Sequence, residues 1–400
     1  MLFSFFGILL FGCLVFCNFA HVTEYFPYIR EKHNILRKTQ SSIQKQDIVR
    51  RLIDSGHDFA LYRFPNETEP HLVLQLQGRA ERPQDGQEYS GFVFAPFAET
   101  KAIPTLLINP DVAVSEWALI DEHTQSLRHR RPALSNIILE NTHGDIDQSE
   151  SYKMAFRTFR NLLDREEYQK LVLSYSMLAP WKYSGYEDEL FMLALEKFRD
   201  SMVYLVYTHK GGRWFGCTPE LLIEGYGRKW RTMSLAGTMP SDSKIPWSPK
   251  NIHEQELVSQ YLEGQLQDLR AQVMRRGPYT VRAGNLIHLR TDFTFHTPTP
   301  HRAREIIDLL HPTPAVCGLP KDEALRFIRQ HERNRRMYYA GYLGPVNLRA
   351  ETCVYVNIRC CNIRPGGKAV FFAGGGLTRD SMYFSEKEEI KRKLNTLLSI

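Results

Sequence analysis

Towards the end of the chain, Glu386, Glu389 and Lys393 are spaced three and four residues apart, which places them on one face of a helix. The apolar stripe Ile390, Leu394, Leu397 and Leu398 borders that face, so the carboxylates point towards the protein. The alternative is a solvated Glu/Lys face laced with salt bridges. A second segment repeats the pattern. One turn back from Val258, Leu262, Leu266 and Leu269 lies Glu254, on the core side of a helix's first turn. A carboxylate there is costly unless paired or bound to a cation. Two helices, each offering one glutamate with water completing the shell, suit the hard oxygen coordination that magnesium prefers.

Three further features carry chemistry. Ala373-Gly-Gly-Gly-Leu follows an apolar run and precedes the helix bearing Glu389. Consecutive glycines let backbone N–H groups approach an anion, although a simple turn is the commoner use. Arg359 falls in the strand-like run Tyr355-Val-Asn-Ile-Arg-Cys, where an arginine beside apolar neighbours usually meets a carboxylate. Lys170 begins another strand and shares a face with Val172 and Ser174. A lysine drawn into an interior loses solvation and can serve as a base, whereas one at a strand edge simply faces water.

The elements that must position these residues alternate between short strands and helices. A polar helical segment covers Glu31 to Asp54. Strands are expected at Phe59–Arg63, His71–Leu76, Gly86–Tyr89 and Gly91–Phe94, then at Lys170–Ser176, Met202–Thr208, Arg213–Cys217 and Leu221–Glu224, and late at Thr352–Ile363 and Lys368–Ala373. Helices are expected at Ser149–Glu167 and Asp188–Met202, in a long segment opened by Ser248 as cap with Pro249 at the first helical position, and at the C-terminal end. Short turns join most strands, which predicts largely antiparallel sheets. With no tandem repeat or Gly/Ser linker dividing residues 45–400, the reading is a single large α+β domain over 43–400, with 1–42 as an extension of doubtful status.

Several of these runs fall in one order. Lys170-Leu-Val-Leu-Ser, Thr218-Pro-Glu-Leu-Leu, Leu235-Ala-Gly-Thr, Glu254-Gln-Glu-Leu-Val, His288-Leu-Arg-Thr, Leu310-His-Pro-Thr-Pro-Ala-Val-Cys-Gly, Tyr339-Ala-Gly, Ile358-Arg-Cys and Phe372-Ala-Gly-Gly-Gly together resemble the chorismate-utilising enzymes, within which isochorismate synthase is the best match. The resemblance covers about residues 170–398. It implies that Lys170 is the base activating water for attack at ring C2, and that Glu220 is the acid protonating the departing C4 hydroxyl. It implies that Glu254 and Glu389 bind magnesium, with Glu386 acting through water. The ion, the Gly237-Thr238 backbone and Lys393 would hold the ring carboxylate. Tyr339, Arg359 and Gly374 would hold the enolpyruvyl carboxylate, and His288 would face the substrate. Ala315 stands where the related salicylate synthases tend to carry Thr, and Ala236 where aminodeoxychorismate synthases carry a nucleophilic Lys. Lys170 itself is lacking in the ammonia-using relatives. Gln255 replaces the usual His after the metal-binding glutamate, Tyr175 a common Arg and Cys317 a usual Ser, and of these Gln255 could alter the surroundings of the metal.

The alternatives are a salicylate synthase, which goes on to expel pyruvate, and a non-catalytic chorismate-binding relative. The expected product feeds menaquinone or siderophore biosynthesis. The net charge of +6 and the single basic run Arg326–Arg336, broken by Glu332 and read as a helix face, argue against a nucleic-acid partner. Cys13, Cys17, Cys217, Cys317, Cys353, Cys360 and Cys361 contain no CxxC pair, which favours a reducing cytoplasm. Residues 1–20 are almost continuously apolar with no Lys or Arg before Arg30, leaving three readings: a prefix from an upstream start codon, a membrane anchor or an export signal. A monomer with no membrane contact is expected unless the anchor is real.

Overall fold

The computed structural model describes residues 42–130, 144–300, 302–332 and 335–400, so the readings made for residues 1–41 lie outside it. Two antiparallel sheets dominate. The nine-stranded sheet has the order β13-β6-β17-β16-β8-β7-β1-β2-β5, and the eight-stranded sheet β11-β12-β10-β9-β15-β14-β3-β4. The first contains β1 (Asp58–Arg63), β2 (His71–Gln75), β5 (Val112–Ser115), β6 (Lys170–Pro180), β7 (Met202–Thr208), β8 (Gly212–Thr218), β13 (Gly318–Leu319), β16 (Cys360–Arg364) and β17 (Lys368–Leu377). The second contains β3 (Gly91–Ala95), β4 (Leu106–Ile108), β9 (Leu221–Tyr226), β10 (Lys229–Pro240), β11 (Gln272–Ala283), β12 (Leu286–His296), β14 (Tyr342–Val346) and β15 (Thr352–Val356). Residues 42–55 are helical (α1). The other helices are α2 (Trp117–Thr124), α3 (Glu150–Asp164), α4 (Glu187–Lys197), α5 (Pro249–Asp268), α6 (Ala303–Leu310), α7 (Lys321–His331) and α8 (Tyr383–Leu398). Residues Ile48–Ile400 form one compact unit, the α+β domain expected from the sequence. Among the described residues no helix is long and apolar enough to cross a membrane, and the five described cysteines are unpaired.

The helix starts follow the chemistry read from the sequence. Ser248 accepts from the Asn251 N–H at 3.2 Å with Pro249 in the first turn, and Ser149 caps α3 through the Tyr152 N–H. Three expectations differ. Gly86–Tyr89 form a turn and irregular chain rather than a strand. The helix expected to reach Met202 stops at Lys197, because the Arg63 guanidinium takes the carbonyls of Phe198, Arg199 and Ser201 and so satisfies groups that further helix would have used. Thr352–Ile363 is two strands in different sheets. The chain breaks at Asn357–Arg359 to cross between them, and Arg359 takes φ 51° there.

A fourth correction concerns the basic run. Helix α7 ends at His331, and Arg336 is buried rather than solvated. It pairs with Glu332 at 2.6 Å and donates to the carbonyls of Val316 and Val172. Glu332 in turn accepts from the Ser174 N–H. This pair ties β6 to the chain around residue 316.

Candidate active site between the sheets

Glu220 stands in the tight connection from β8 to β9, on the second residue after Thr218. Two bonds fix that connection to β15 and its exit: the Thr218 hydroxyl donates to the Val356 carbonyl at 2.6 Å, and the Val356 N–H donates to the Glu220 carbonyl at 2.9 Å. The Glu220 side chain is therefore held in the interior, and burial pushes its carboxyl up to about 7 against the pull of Lys170, Lys393 and Arg359. At neutral pH such a group holds a proton it can give away.

Strand β10 is bulged between Ala236 and Met239, with Gly237 at φ 68°. A side chain there would be strained by the backbone and would crowd Asn251 and Trp247. The bulge aims the Gly237 carbonyl at His288 Nδ1, 2.7 Å away, so that nitrogen carries the hydrogen. His288 Nε2 then accepts from Arg359 at 3.1 Å. Burial and the adjoining Arg359 charge keep His288 well below its ordinary pKa, hence neutral. Burial also lowers Arg359, to about 10, which leaves it charged at neutral pH. Thr238 lies 3.4 Å from the same Nδ1.

The glycine triplet is not a turn. Gly374, Gly375 and Gly376 lie inside β17, paired with Ser174, Leu173 and Val172 of β6. Their missing side chains make room for other groups rather than for an anion at a helix start. A Cβ on Gly376 would sit 2.1 Å from Glu254 Oε1, and one on Gly374 would sit 2.6 Å from the Tyr339 hydroxyl. Tyr339 stacks on Phe372 with ring centroids 5.4 Å apart.

Glu254 is buried at the start of α5, where burial is outweighed by Lys170 and Lys250 and the carboxyl is held down at about 2. Its Oε1 is 3.1 Å from Lys170 Nζ and its Oε2 3.2 Å from Lys250 Nζ. Lys170 is fully buried, and its ammonium is spent on the ion pair with Glu254. On α8, Glu386 is buried and Glu389 nearly so, as the shared helical face requires. Glu389 pairs with Lys393 at 2.7 Å, and Lys393 donates to the Gly374 carbonyl at 2.7 Å. Burial raises Glu386 to about 7, helped by the like charges of Glu389 and Glu254 and opposed by Lys250.

These residues enclose a cavity of about 60 Å³. Of the residues picked from the sequence, Glu220, Gly237, Thr238, Glu254, His288, Ala315, Tyr339, Arg359, Gly374, Glu389 and Lys393 line it. Lys170 and Glu386 stand behind this lining, Lys170 turned onto Glu254. Sites for small ligands usually run to several hundred Å³, so an organic substrate must widen this one. A larger cleft of about 920 Å³ borders Pro219 and Leu221 but contains none of the candidate residues. The chemistry belongs to the smaller space.

Two residues were not foreseen in these roles. Lys250, one turn before Glu254, reaches both Glu254 and Glu386; its spacing of four residues from Glu254 was the available signal. Gln255, flagged for the metal's surroundings, points away from the carboxylates and donates to Ser234 and Thr291, fastening α5 to β10 and β12. As to a metal, no cluster of three or more acidic or imidazole side chains converges as a ready ligand set among the described residues. The donors nevertheless fit a hard divalent ion in type: buried carboxylates from two helices, Glu254 on one and Glu386 with the nearly buried Glu389 on the other.

Comparison with known proteins places this arrangement. Isochorismate synthase EntC of Escherichia coli K12 is 29% identical over 201 residues, covering 48% of this chain and 51% of that protein. The vibriobactin-specific isochorismate synthase of Vibrio cholerae is 26% identical over 262 residues, covering 62% and 66%. The chain thus spans about half to two thirds of the length of these relatives. The structure of MenF, the menaquinone-specific isochorismate synthase of E. coli, superposes with a TM-score of 0.66 over 86% of this chain and 88% of that one, at 20% identity, which shows a shared fold. The family described as chorismate binding enzyme matches over residues 100–400, and the chain belongs to that family.

Proposed function

We propose that this protein is an isochorismate synthase, adding water at ring C2 of chorismate and expelling the C4 hydroxyl, with magnesium as cofactor. The observation that carries the reading is the pairing of opposites in one buried place: a carboxyl raised to about 7, Glu220, within electrostatic reach of a fully buried lysine, Lys170, whose ammonium is paired with Glu254. Hydroxide is a poor leaving group and water a poor nucleophile at neutral pH, so the reaction needs one proton given and one removed. Glu220 gives the proton to the departing hydroxyl. Lys170 takes one from water, and its ion pair with Glu254 must loosen for it to do so.

The cationic wall made by Arg359 and Lys393, with the Tyr339 hydroxyl, suits a dianionic substrate. Neutral His288, fixed by the Gly237 carbonyl, keeps Arg359 in place without adding charge. Glu254 and Glu389 would hold magnesium, with Glu386 behind them, and the bound ion would supply positive charge to a substrate carboxylate. The carboxylates flanking Lys170 and Lys393 keep those ammonium groups oriented in the meantime.

The test is direct. Purified protein is incubated with chorismate and magnesium and the products are separated and identified. Isochorismate that disappears when the metal is chelated is the expected result. Salicylate with released pyruvate would assign the other reaction, and no conversion at all would mark a binding protein.

A further inference from the structure

The acidic cluster already contains a cation of the chain's own. Lys250 stands in the first turn of α5. Its Nζ lies 3.2 Å from Glu254 Oε2, 3.0 Å from Glu386 Oε1 and 3.0 Å from the Gly376 carbonyl oxygen. An ammonium offers three hydrogens and no acceptor. Here three oxygens, from two helices and a strand, lie within 3.2 Å of it, which is how a protein surrounds a bound cation. Resting on the magnesium reading of this site, we propose that Lys250 is a placeholder: in the metal-free protein its ammonium engages two of the three carboxylates around the ion's site, Glu254 and Glu386, and metal binds by displacing it from them.

The physical case has two parts. Glu254, Glu386 and Glu389 would repel one another if left together without a counter-charge, and Lys170 and Lys393 each engage only one of them. Lys250 bridges two, and so holds α5 and α8 together across β17. Magnesium carries twice the charge but takes its oxygens at about 2.0–2.1 Å, roughly an ångström closer than this ammonium does, so the two cannot share the place. The Lys250 side chain is 16% exposed. Its flexible stem can therefore swing towards solvent without disturbing the helix.

The experiment titrates manganese and magnesium calorimetrically into substrate-free wild-type protein, Lys250→Met and Lys250→Gln, with folding checked by circular dichroism. Removing the competitor should tighten metal binding about tenfold or more, a change of about 1.4 kcal/mol. Equal or weaker affinity in either folded variant overturns the proposal. In the unaltered protein, magnesium should raise acylation of Lys250 by an amine-reactive ester, measured by peptide mass spectrometry. Unchanged or reduced labelling also overturns it. Neither readout uses chorismate. A protein that passes both yet forms no isochorismate loses the assigned reaction and keeps the placeholder.

Discussion

Glu220 links function to stability through one proton. Its carboxyl moves from an ordinary 4.5 to about 7, so it is a competent acid below neutrality and spent above it. Glu220→Gln should still bind chorismate but lose about a hundred- to ten-thousand-fold in turnover, because an amide cannot supply the proton. Lys170→Ala should fall by a similar factor while binding survives, since Arg359, Tyr339 and Lys393 remain; full turnover in Lys170→Ala would remove the base from the mechanism. The stability sign follows from the raised value. The contribution is present below about 4.5 and is lost as pH rises through 7, because the folded state then buries a charge that the unfolded chain exposes. Thermal melts of wild type against Glu220→Gln should therefore diverge between pH 5 and pH 8, with the glutamine variant gaining up to roughly 3 kcal/mol relative to wild type. Parallel melting curves across that range would place Glu220 in a wetter setting than described here.

At the level of elements, strand β17 and the β6 strand beside it decide how close the charged groups come. Gly376→Ala would put a methyl 2.1 Å from Glu254 Oε1 and 2.8 Å from Lys170 Cε, whereas Gly375→Ala meets Glu386 only at 3.4 Å. The first should abolish turnover and lower the melting temperature, and the second should fold nearly normally; equal effects would mean that the glycines matter only as backbone. The Arg336–Glu332 pair is the strut behind β6. Arg336→Met leaves Glu332 buried without its partner and frees two carbonyls, so urea unfolding should show a loss of about 3–5 kcal/mol. A loss under 1 kcal/mol would show that its strand neighbours β17 and β13 hold β6 without the strut. Arg336 also illustrates what a sequence pattern hides: in the chain it reads as one more positive residue in a basic run, and only the end of α7 at His331 turns it inward.

For the whole molecule, every residue assigned to the site lies within Ile48–Ile400, so residues 43–400 produced alone should melt within a few degrees of the full chain and keep its turnover within about twofold. Insolubility of that fragment would show that the preceding segment supports the fold. Much of the domain was legible beforehand, because amphipathic spacing is a local property: Glu254 falls one turn before an apolar stripe, Glu386 and Glu389 beside another, and Ser248-Pro249 announces a helix. The likeness of the ordered motifs to a known family then named the companions Glu220 and His288. What the sequence alone determined was thus which side chains are buried and which types of group stand ready. The tertiary structure decided which of them meet. Arg359 reaches His288 because the chain crosses from one sheet to the other at residues 357–359, the glycines of β17 serve close approach because the Glu254 and Lys170 side chains come up against them, and Lys250 sits among the carboxylates because two helices far apart in the chain send side chains to the same strand. Burial can be read from a repeat of three to four residues. Contact between residues 136 positions apart, as for Lys250 and Glu386, depends on how whole elements pack, and no local pattern encodes that.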